Sequence, residues 1–117
     1  MLPTVLDLAS LKDAYASGSA NPVGVIDAVV DRIEASSDKA VFISVFSRGV
    51  LEAEARALMA RAPEPNSLPL WGIPFAVKDN IDVAGLPTTA ACPAFQYAPA
   101  ADAHAVARLR EAGALVV

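Results

Sequence analysis

Residues 70–93 read LWGIPFAVKDNIDVAGLPTTAACP, and this stretch predicts a β-strand that runs into a Gly/Pro loop. Ile73, Phe75 and Val77 alternate with other residues in the two-residue period of a strand. Lys78 follows at the end of the strand, on the face of the smaller residues. A lysine on a buried strand is costly unless it is paired or used, so Lys78 is the first candidate for a functional residue.

The local sequence supports two interpretations of Lys78. In the functional one, burial favours the neutral amine, which accepts a proton from a nucleophile or relays one. In the structural one, which is the commoner case, Lys78 pairs with Asp79 or extends to solvent. Asp79 and Asn80 either orient the lysine or cap the turn that follows it. Thr88 and Thr89 add two hydroxyls near this place, and local bonding to backbone is the expected role of at least one.

The composition indicates a domain whose core is shared with other protein. Hydrophobic residues make up 55% of the chain and charged residues 19%, whereas soluble domains average roughly 45–50% and about 25%. A small domain buries a smaller share of its surface, so this apolar excess predicts a further segment or a partner chain. The net charge of −4 and the pI of about 4.7 argue against nucleic acid or an anionic membrane surface as the main partner.

Several classes of site have little support in the sequence. The single cysteine, Cys92, permits no internal disulfide and no cysteine-based zinc site. Phosphate-binding glycine loops and metal-ligand spacings are absent, so no cofactor and no metal are expected. Cys92 with His104 would make a cysteine enzyme, but a histidine near a helix start is more often a surface residue. Ser36 and Ser37 form a pair at a predicted helix end without flanking glycines, which does not favour catalysis.

The rest of the chain predicts helices and strands of an α/β fold. Apolar periodicity and capping residues predict helices over about 7–17, 22–35, 49–61 and 102–112, with Asp102 as an N-cap. Strands are predicted over about 41–46, 73–78 and 114–117, the first buried in a sheet. The order strand, helix, strand at the end indicates a βαβ unit with parallel pairing. We expect residues 1–117 to be one segment of a domain, with no second domain, no signal peptide and a cytoplasmic location.

Spaced motifs in the same stretch and in the last helix resemble the amidase signature family of amide hydrolases. The matching positions are Gly72-Ile73-Pro74, Val77-Lys78-Asp79, Gly85, Thr88-Thr89, Asp102-Ala103, Val106, Arg108-Leu109-Arg110 and Ala112-Gly113-Ala114. Within that family, TTAACPAF after VKDNIDVAGLP is most similar to the allophanate hydrolase branch. Other branches more often carry Gly-Ser where this chain has Ala91-Cys92.

The resemblance implies a fold, a mechanism and a substrate. The implied fold is the N-terminal part of the amidase signature fold, with helices on a mixed, partly parallel sheet that is incomplete in this chain. The implied mechanism uses a Ser–cis-Ser–Lys triad, in which Lys78 is the general base and Asp79, Asn80, Thr88 and Thr89 give support. The implied reaction splits allophanate into ammonia and carbon dioxide. Both serines lie on family motifs that this chain does not carry, so the chain alone is expected to be inactive.

The expected partners follow from the same reasoning. They are a small-molecule amide substrate and either the remainder of the amidase domain or a second copy of the chain. A non-catalytic alternative stays open, in which the chain is a truncated paralogue that serves as an interaction module. The apolar excess and the strand at 114–117, which has no polar terminator, favour that alternative.

Overall fold

A computed structural model describes residues 2–117, which form helices around a short parallel sheet. The helices are α1 (Leu8–Ser17), α2 (Pro22–Ala35), α3 (Arg48–Arg61) and α4 (His104–Glu111), and the strands are β1 (Pro74–Phe75) and β2 (Leu115–Val116). A single 3-10 turn covers Pro93–Phe95. No helix within residues 2–117 is long and apolar enough to cross a membrane.

The first three helices begin at side chains that cap them. The Asp7 carboxylate accepts a hydrogen bond from the Ser10 amide at 2.7 Å. Asn21 and Ser47 accept from the amides of Gly24 and Val50 in the same way, at 2.9 and 3.3 Å. Each cap satisfies an amide that the helix leaves without a partner, so these boundaries follow from local sequence.

The sheet joins β1 to β2 in parallel, with α4 in the connection between them. Pro74 pairs with Leu115 and Phe75 with Val116. The Leu115 amide donates to the Ile73 carbonyl at 2.9 Å, and the Val117 amide donates to the Phe75 carbonyl at 3.1 Å. This arrangement is a βαβ unit, and it confirms the predicted α/β class with parallel pairing.

The main core lies between the helices and the start of the sheet. Tyr15 is 1% exposed, its ring meets the Trp71 ring edge-on at a centroid distance of 5.0 Å, and its hydroxyl donates to the Gly72 carbonyl at 2.6 Å. Burial raises the Tyr15 pKa, because the phenolate would lose its water. Trp71 also donates from its indole Nε1 to the Ala62 carbonyl at 2.8 Å. These contacts fix the chain just before β1.

The strand predicted over 41–46 is wrong. Val41 and Ile43 are 63% and 54% exposed, and these residues form no ladder with any strand in residues 2–117. An apolar run needs a hydrogen-bonding neighbour as well as hydrophobicity to become a strand. The strands predicted over 73–78 and 114–117 exist but are shorter, because the chain turns away from the sheet after Phe75.

The N-cap predicted at Asp102 is also wrong. Helix α4 begins at His104 rather than at 102, and its N-cap, Ala103, has no side-chain cap. The Asp102 carboxylate instead accepts from the Ala84 amide at 2.8 Å and lies 3.0 Å from Arg110 Nε as an ion pair. Contacts distant in sequence therefore take the side chain that the local pattern assigned to capping.

Candidate active site at the end of strand β1

A cleft of about 490 Å³ opens where the chain leaves β1. The Ile81 amide donates to the Lys78 carbonyl at 2.9 Å, so residues 78–81 make a tight turn at its edge. Most of the wall is apolar and comes from residues 41–43, 76–77, 81, 83, 86–87, 90–91 and 116–117, with Ser44 and Asn80 also on it. Lys78 and Asp79 are the charged residues among those that line it.

Lys78 is exposed at the cleft, and its amine has no hydrogen bond or ion pair with any residue of 2–117. The predicted burial on the strand is therefore wrong for this chain, because Lys78 lies beyond the last sheet residue, Phe75. The alternative pairing with Asp79 is wrong as well. The other part of the structural interpretation, extension to solvent, agrees with this exposed and unpaired lysine, which is also one of the residues that line the cleft.

Asp79 holds the loop that follows instead of the lysine that precedes it. Its carbonyl accepts from the amides of Thr89 and Ala90, both at 3.2 Å. Its carboxylate accepts from the Thr89 hydroxyl and from the Ala91 amide, the latter at 3.3 Å. One residue next to Lys78 therefore anchors three consecutive loop residues.

A second carboxylate, Asp82, fixes the base of the same loop. It accepts from the hydroxyls of Thr88 at 2.8 Å and Tyr97 at 2.5 Å. Thr88 and Tyr97 also exchange backbone hydrogen bonds of 2.9 and 3.1 Å, which close residues 88–97 into a loop. The hydrogen bond to the Asp82 carboxylate raises the Tyr97 pKa, because it stabilises the protonated phenol.

The structure places some of the predicted supporting residues on the cleft wall and others away from it. Thr88 and Thr89 are 3% and 6% exposed and bond to carboxylates, so neither hydroxyl lies on the cleft wall. Asn80 is on the wall, and its side chain makes no hydrogen bond within residues 2–117. Sequence reasoning missed Asp82 and Tyr97. The available signal was a second aspartate three residues after Asp79, just beyond the turn.

The other candidates from the sequence lie away from this site. Cys92 is exposed, and it is not among the residues that line the cleft. His104 is exposed at the start of α4, and no hydrogen bond joins it to Cys92 in the described chain. Ser36 is the C-cap that follows α2. Over residues 2–117, no group of three or more His, Cys, Asp or Glu is placed to hold a metal ion.

Comparison with known proteins gives the class of protein to which this fold and cleft belong. The model of the family described as Amidase matches residues 24–117. The chain belongs to the amidase family, which confirms the resemblance drawn from its motifs.

The relatives that match the chain include proteins with different named activities. The chain is 42% identical to urea amidolyase of Saccharomyces cerevisiae over 101 residues, which are 86% of this chain and 5% of that protein. It is 42% identical to a glutamyl-tRNA(Gln) amidotransferase subunit of Nitratidesulfovibrio vulgaris, over 96% of this chain and 23% of that one. The solved allophanate hydrolase of Kluyveromyces lactis superposes with a TM-score of 0.71 at 35% identity, covering 90% of this chain and 18% of that one.

These coverages have a direct consequence for function. The chain spans less than a quarter of the length of the curated relatives described above. The fold and the family are shared with them, and relatives of different named activities match equally well in identity. Shared identity over this segment therefore does not distinguish between the activities of these relatives.

Proposed function

We propose that residues 1–117 are one segment of an amidase domain in which Lys78 is the general base. The observation that carries the proposal is the unpaired Lys78 amine at an apolar cleft, on the position that matches the family's lysine motif. A base of this kind must be a neutral amine. Apolar walls favour the neutral form once further protein covers the cleft and excludes water.

The proposed mechanism assigns this chain one part of a triad. A serine from the remainder of the domain attacks the amide carbonyl. A second serine, in a cis peptide, takes the proton of the attacking hydroxyl and gives its own proton to Lys78. Lys78 then returns a proton through that serine to the leaving nitrogen, which departs as ammonia. Water hydrolyses the acyl-enzyme by the same proton route. Because both serines lie outside this chain in the proposal, the chain alone is expected to release no ammonia.

Allophanate is the substrate that we propose, with ammonia and carbon dioxide as products. The likenesses to urea amidolyase and to allophanate hydrolase support it. The likeness to an amidotransferase, which extends over 96% of the chain, supports a second candidate. In that case the domain would release ammonia from an amide donor, such as glutamine, for transfer to an acceptor.

The test is to read the coding sequence beyond Val117 and to measure ammonia release by the complete protein. Allophanate and glutamine are compared as substrates under the same conditions. Lys78→Ala is expected to lower kcat by about 10²–10⁴-fold, the usual contribution of a general acid–base. Lys39→Ala is the matched control, since Lys39 is exposed and bonds only to the Glu34 carbonyl. Full activity in Lys78→Ala would refute the role of Lys78.

A non-catalytic interaction module remains the second candidate from a different class. The exposed side chains of Val41, Ile43 and Phe95, which are 63%, 54% and 65% accessible, favour contact with other protein. Size-exclusion chromatography of the 117-residue chain tests this candidate. A defined dimer without any ammonia release would support the module, whereas a stable monomer would count against a shared core.

A further inference from the structure

Two aspartates that follow Lys78 in the sequence bind one loop. Asp79 reaches the loop at Thr89–Ala91, and Asp82 reaches it at Thr88 and Tyr97. The loop is thus fixed at its base and again near its first corner, although it contains no regular element except a 3-10 turn. Both anchors start within four residues of Lys78 along the chain.

The corner that Asp79 holds has an unusual backbone. Ala90 and Ala91 have φ of 50° and 59°, in the left-handed region that side chains other than glycine rarely adopt. Two such residues in succession persist only where neighbouring contacts determine the conformation. Both alanines are exposed and contribute no buried side chain, so the hydrogen bonds of their amides are the contacts that hold them. The Ala90 amide donates to the Asp79 carbonyl, and the Ala91 amide donates to the Asp79 carboxylate at 3.3 Å and to the Thr89 hydroxyl at 3.2 Å. That hydroxyl itself donates to the Asp79 carboxylate.

This corner is also part of the cleft. Ala90 and Ala91 line it together with Lys78, whereas Thr88 and Thr89 do not. Lys78 and Asp79 are neighbours in sequence, but their side chains have different surroundings. The lysine side chain has no partner within residues 2–117, and the aspartate side chain binds a segment that lines the same cleft.

We propose that Asp79 is a positioning residue of the site, which fixes the Ala90–Ala91 wall relative to the Lys78 amine and so sets the space for the substrate. The proposal rests on the proposed role of Lys78. It does not make Asp79 a proton carrier or an ion-pair partner. Without the Asp79 carboxylate, the Ala91 amide loses one of its two hydrogen bonds, and the Thr89 hydroxyl, its other acceptor, loses the partner that orients it. The backbone bonds at Thr88 and Tyr97 keep the loop closed.

Amide hydrogen exchange tests the anchor independently of catalysis. In Asp79→Ala, exchange at the Ala91 amide is expected to become about tenfold faster, as the loss of one hydrogen bond to a charged group predicts. The amides of Thr88 and Tyr97 serve as internal references, since their bonds are to backbone. Asp79→Asn keeps an oxygen acceptor in place and is expected to exchange as the parent does. An unchanged Ala91 amide in Asp79→Ala would overturn the proposal.

Kinetics of the complete protein then test the positioning role. Asp79→Ala and Thr89→Val are each expected to raise KM about tenfold with a smaller change in kcat, because substrate space rather than proton transfer is altered. The double variant is expected to raise KM beyond either single variant, because the Ala91 amide then loses both of its side-chain acceptors, Asp79 and Thr89. The conservative variants Thr89→Ser and Asp79→Asn should keep the KM of the parent. Asp13→Ala, at an exposed aspartate remote from the cleft wall, is the control.

The outcomes separate this inference from the proposed function. If Lys78→Ala is fully active, the role of Lys78 is refuted. If Lys78→Ala is inactive and Asp79→Ala matches the parent in kcat and KM, only the positioning role is refuted. If Asp79→Ala does not fold, Thr89→Val decides alone, because it removes one hydroxyl and keeps the volume of the side chain. An unchanged KM in that variant would overturn the proposal.

Discussion

Gly113 offers the sharpest test of how the sheet is joined to the core. It follows α4 with φ of 97°, and an added Cβ would lie 2.9 Å from the Trp71 Cα and 3.1 Å from the Trp71 amide nitrogen. Its carbonyl also accepts from the Gly72 amide at 2.9 Å, two residues before β1 begins. Gly113→Ala is therefore expected to strain the backbone and to push on backbone atoms that have little room to move.

The magnitude follows from two separate costs. A left-handed backbone costs a residue with a side chain about 1–2 kcal/mol. Overpacking of a well-packed site costs typically about 1–3 kcal/mol. Gly113→Ala should therefore lower the free energy of unfolding by about 2–5 kcal/mol, a large part of the total for a domain of this size.

Two glycines of the same chain separate these costs. Gly18 has φ of 74°, but nothing lies within 4 Å of an added Cβ, so Gly18→Ala should lose only the conformational part, about 1–2 kcal/mol. Gly49 lies in α3 with ordinary dihedrals and open space, so Gly49→Ala should gain up to about 1 kcal/mol. Urea unfolding followed by Trp71 fluorescence gives all three values, since Trp71 is the single tryptophan.

The order of the free energies of unfolding of the three variants tests whether the approach to Trp71 carries a cost of its own. The contact with Trp71 requires that Gly113→Ala be clearly less stable than Gly18→Ala. Equal losses in the two variants would show that the backbone angle alone is responsible and that the approach to Trp71 carries no cost. Circular dichroism in the same titration guards against a change confined to the fluorescence of Trp71.

Three further predictions concern single side chains. Tyr15→Phe leaves the buried Gly72 carbonyl without its 2.6 Å hydrogen bond and should cost about 1–3 kcal/mol in the free energy of unfolding, measured by urea titration; no loss would mean that water or another donor replaces the hydroxyl. Ala91→Gly relieves a φ of 59° and should raise the free energy of unfolding by up to about 1 kcal/mol, seen as a higher Tm, whereas a lower Tm would contradict the strain. Asp82→Asn should lower the Tyr97 pKa toward its ordinary value, measured by tyrosinate absorbance, because the raised pKa comes first from the hydrogen bond to Asp82. The sign for stability follows: the contribution of Tyr97 is complete below the unfolded pKa and is lost as the pH rises through the folded one, so a Tyr97 pKa that does not move in Asp82→Asn would contradict the assignment.

The helices could be predicted because their signals are local. Asp7 and Gly18 bound α1, and Asn21 with Pro22 starts α2, within a residue of the expected positions. A cap bonds to an amide two or three residues away, so the pattern that identifies it is complete in a short window. The parallel pairing could be predicted as well, since a strand, a helix and a strand in succession leave little topological choice.

The failures share a different cause. The run over 41–46 has the composition of a strand, but a strand requires a neighbour whose position no local pattern contains. Asp102 has the composition of a cap, but Ala84 and Arg110 take its carboxylate, and they lie 18 and 8 residues away in sequence. Both errors assigned a local partner to groups whose partners are distant.

The candidate site includes both a feature that local sequence identifies and contacts that it does not. Lys78 was selected as a candidate because a charged residue after an apolar strand is conspicuous in sequence, and it does line the cleft. Its burial and its pairing with Asp79 were predicted wrongly, since the chain leaves the sheet after Phe75, whereas the alternative of extension to solvent agrees with its exposure. Thr88 and Thr89 were found as hydroxyls near the site, but their bonds to Asp82 and Asp79 make them parts of the loop and not of the wall.

The unpaired state of Lys78 has a structural cause in the residue next to it. A lysine beside an aspartate would ordinarily be drawn into a local ion pair, although an exposed pair of this kind is worth only about 0–1 kcal/mol. The hydrogen bonds that Asp79 makes to Thr89 and Ala91 are charge-assisted and more strongly favoured than that pair. The loop therefore competes successfully for the carboxylate, and the amine stays at the cleft. An amidase that uses its lysine as a base needs this outcome, because a paired lysine would be held in its charged form.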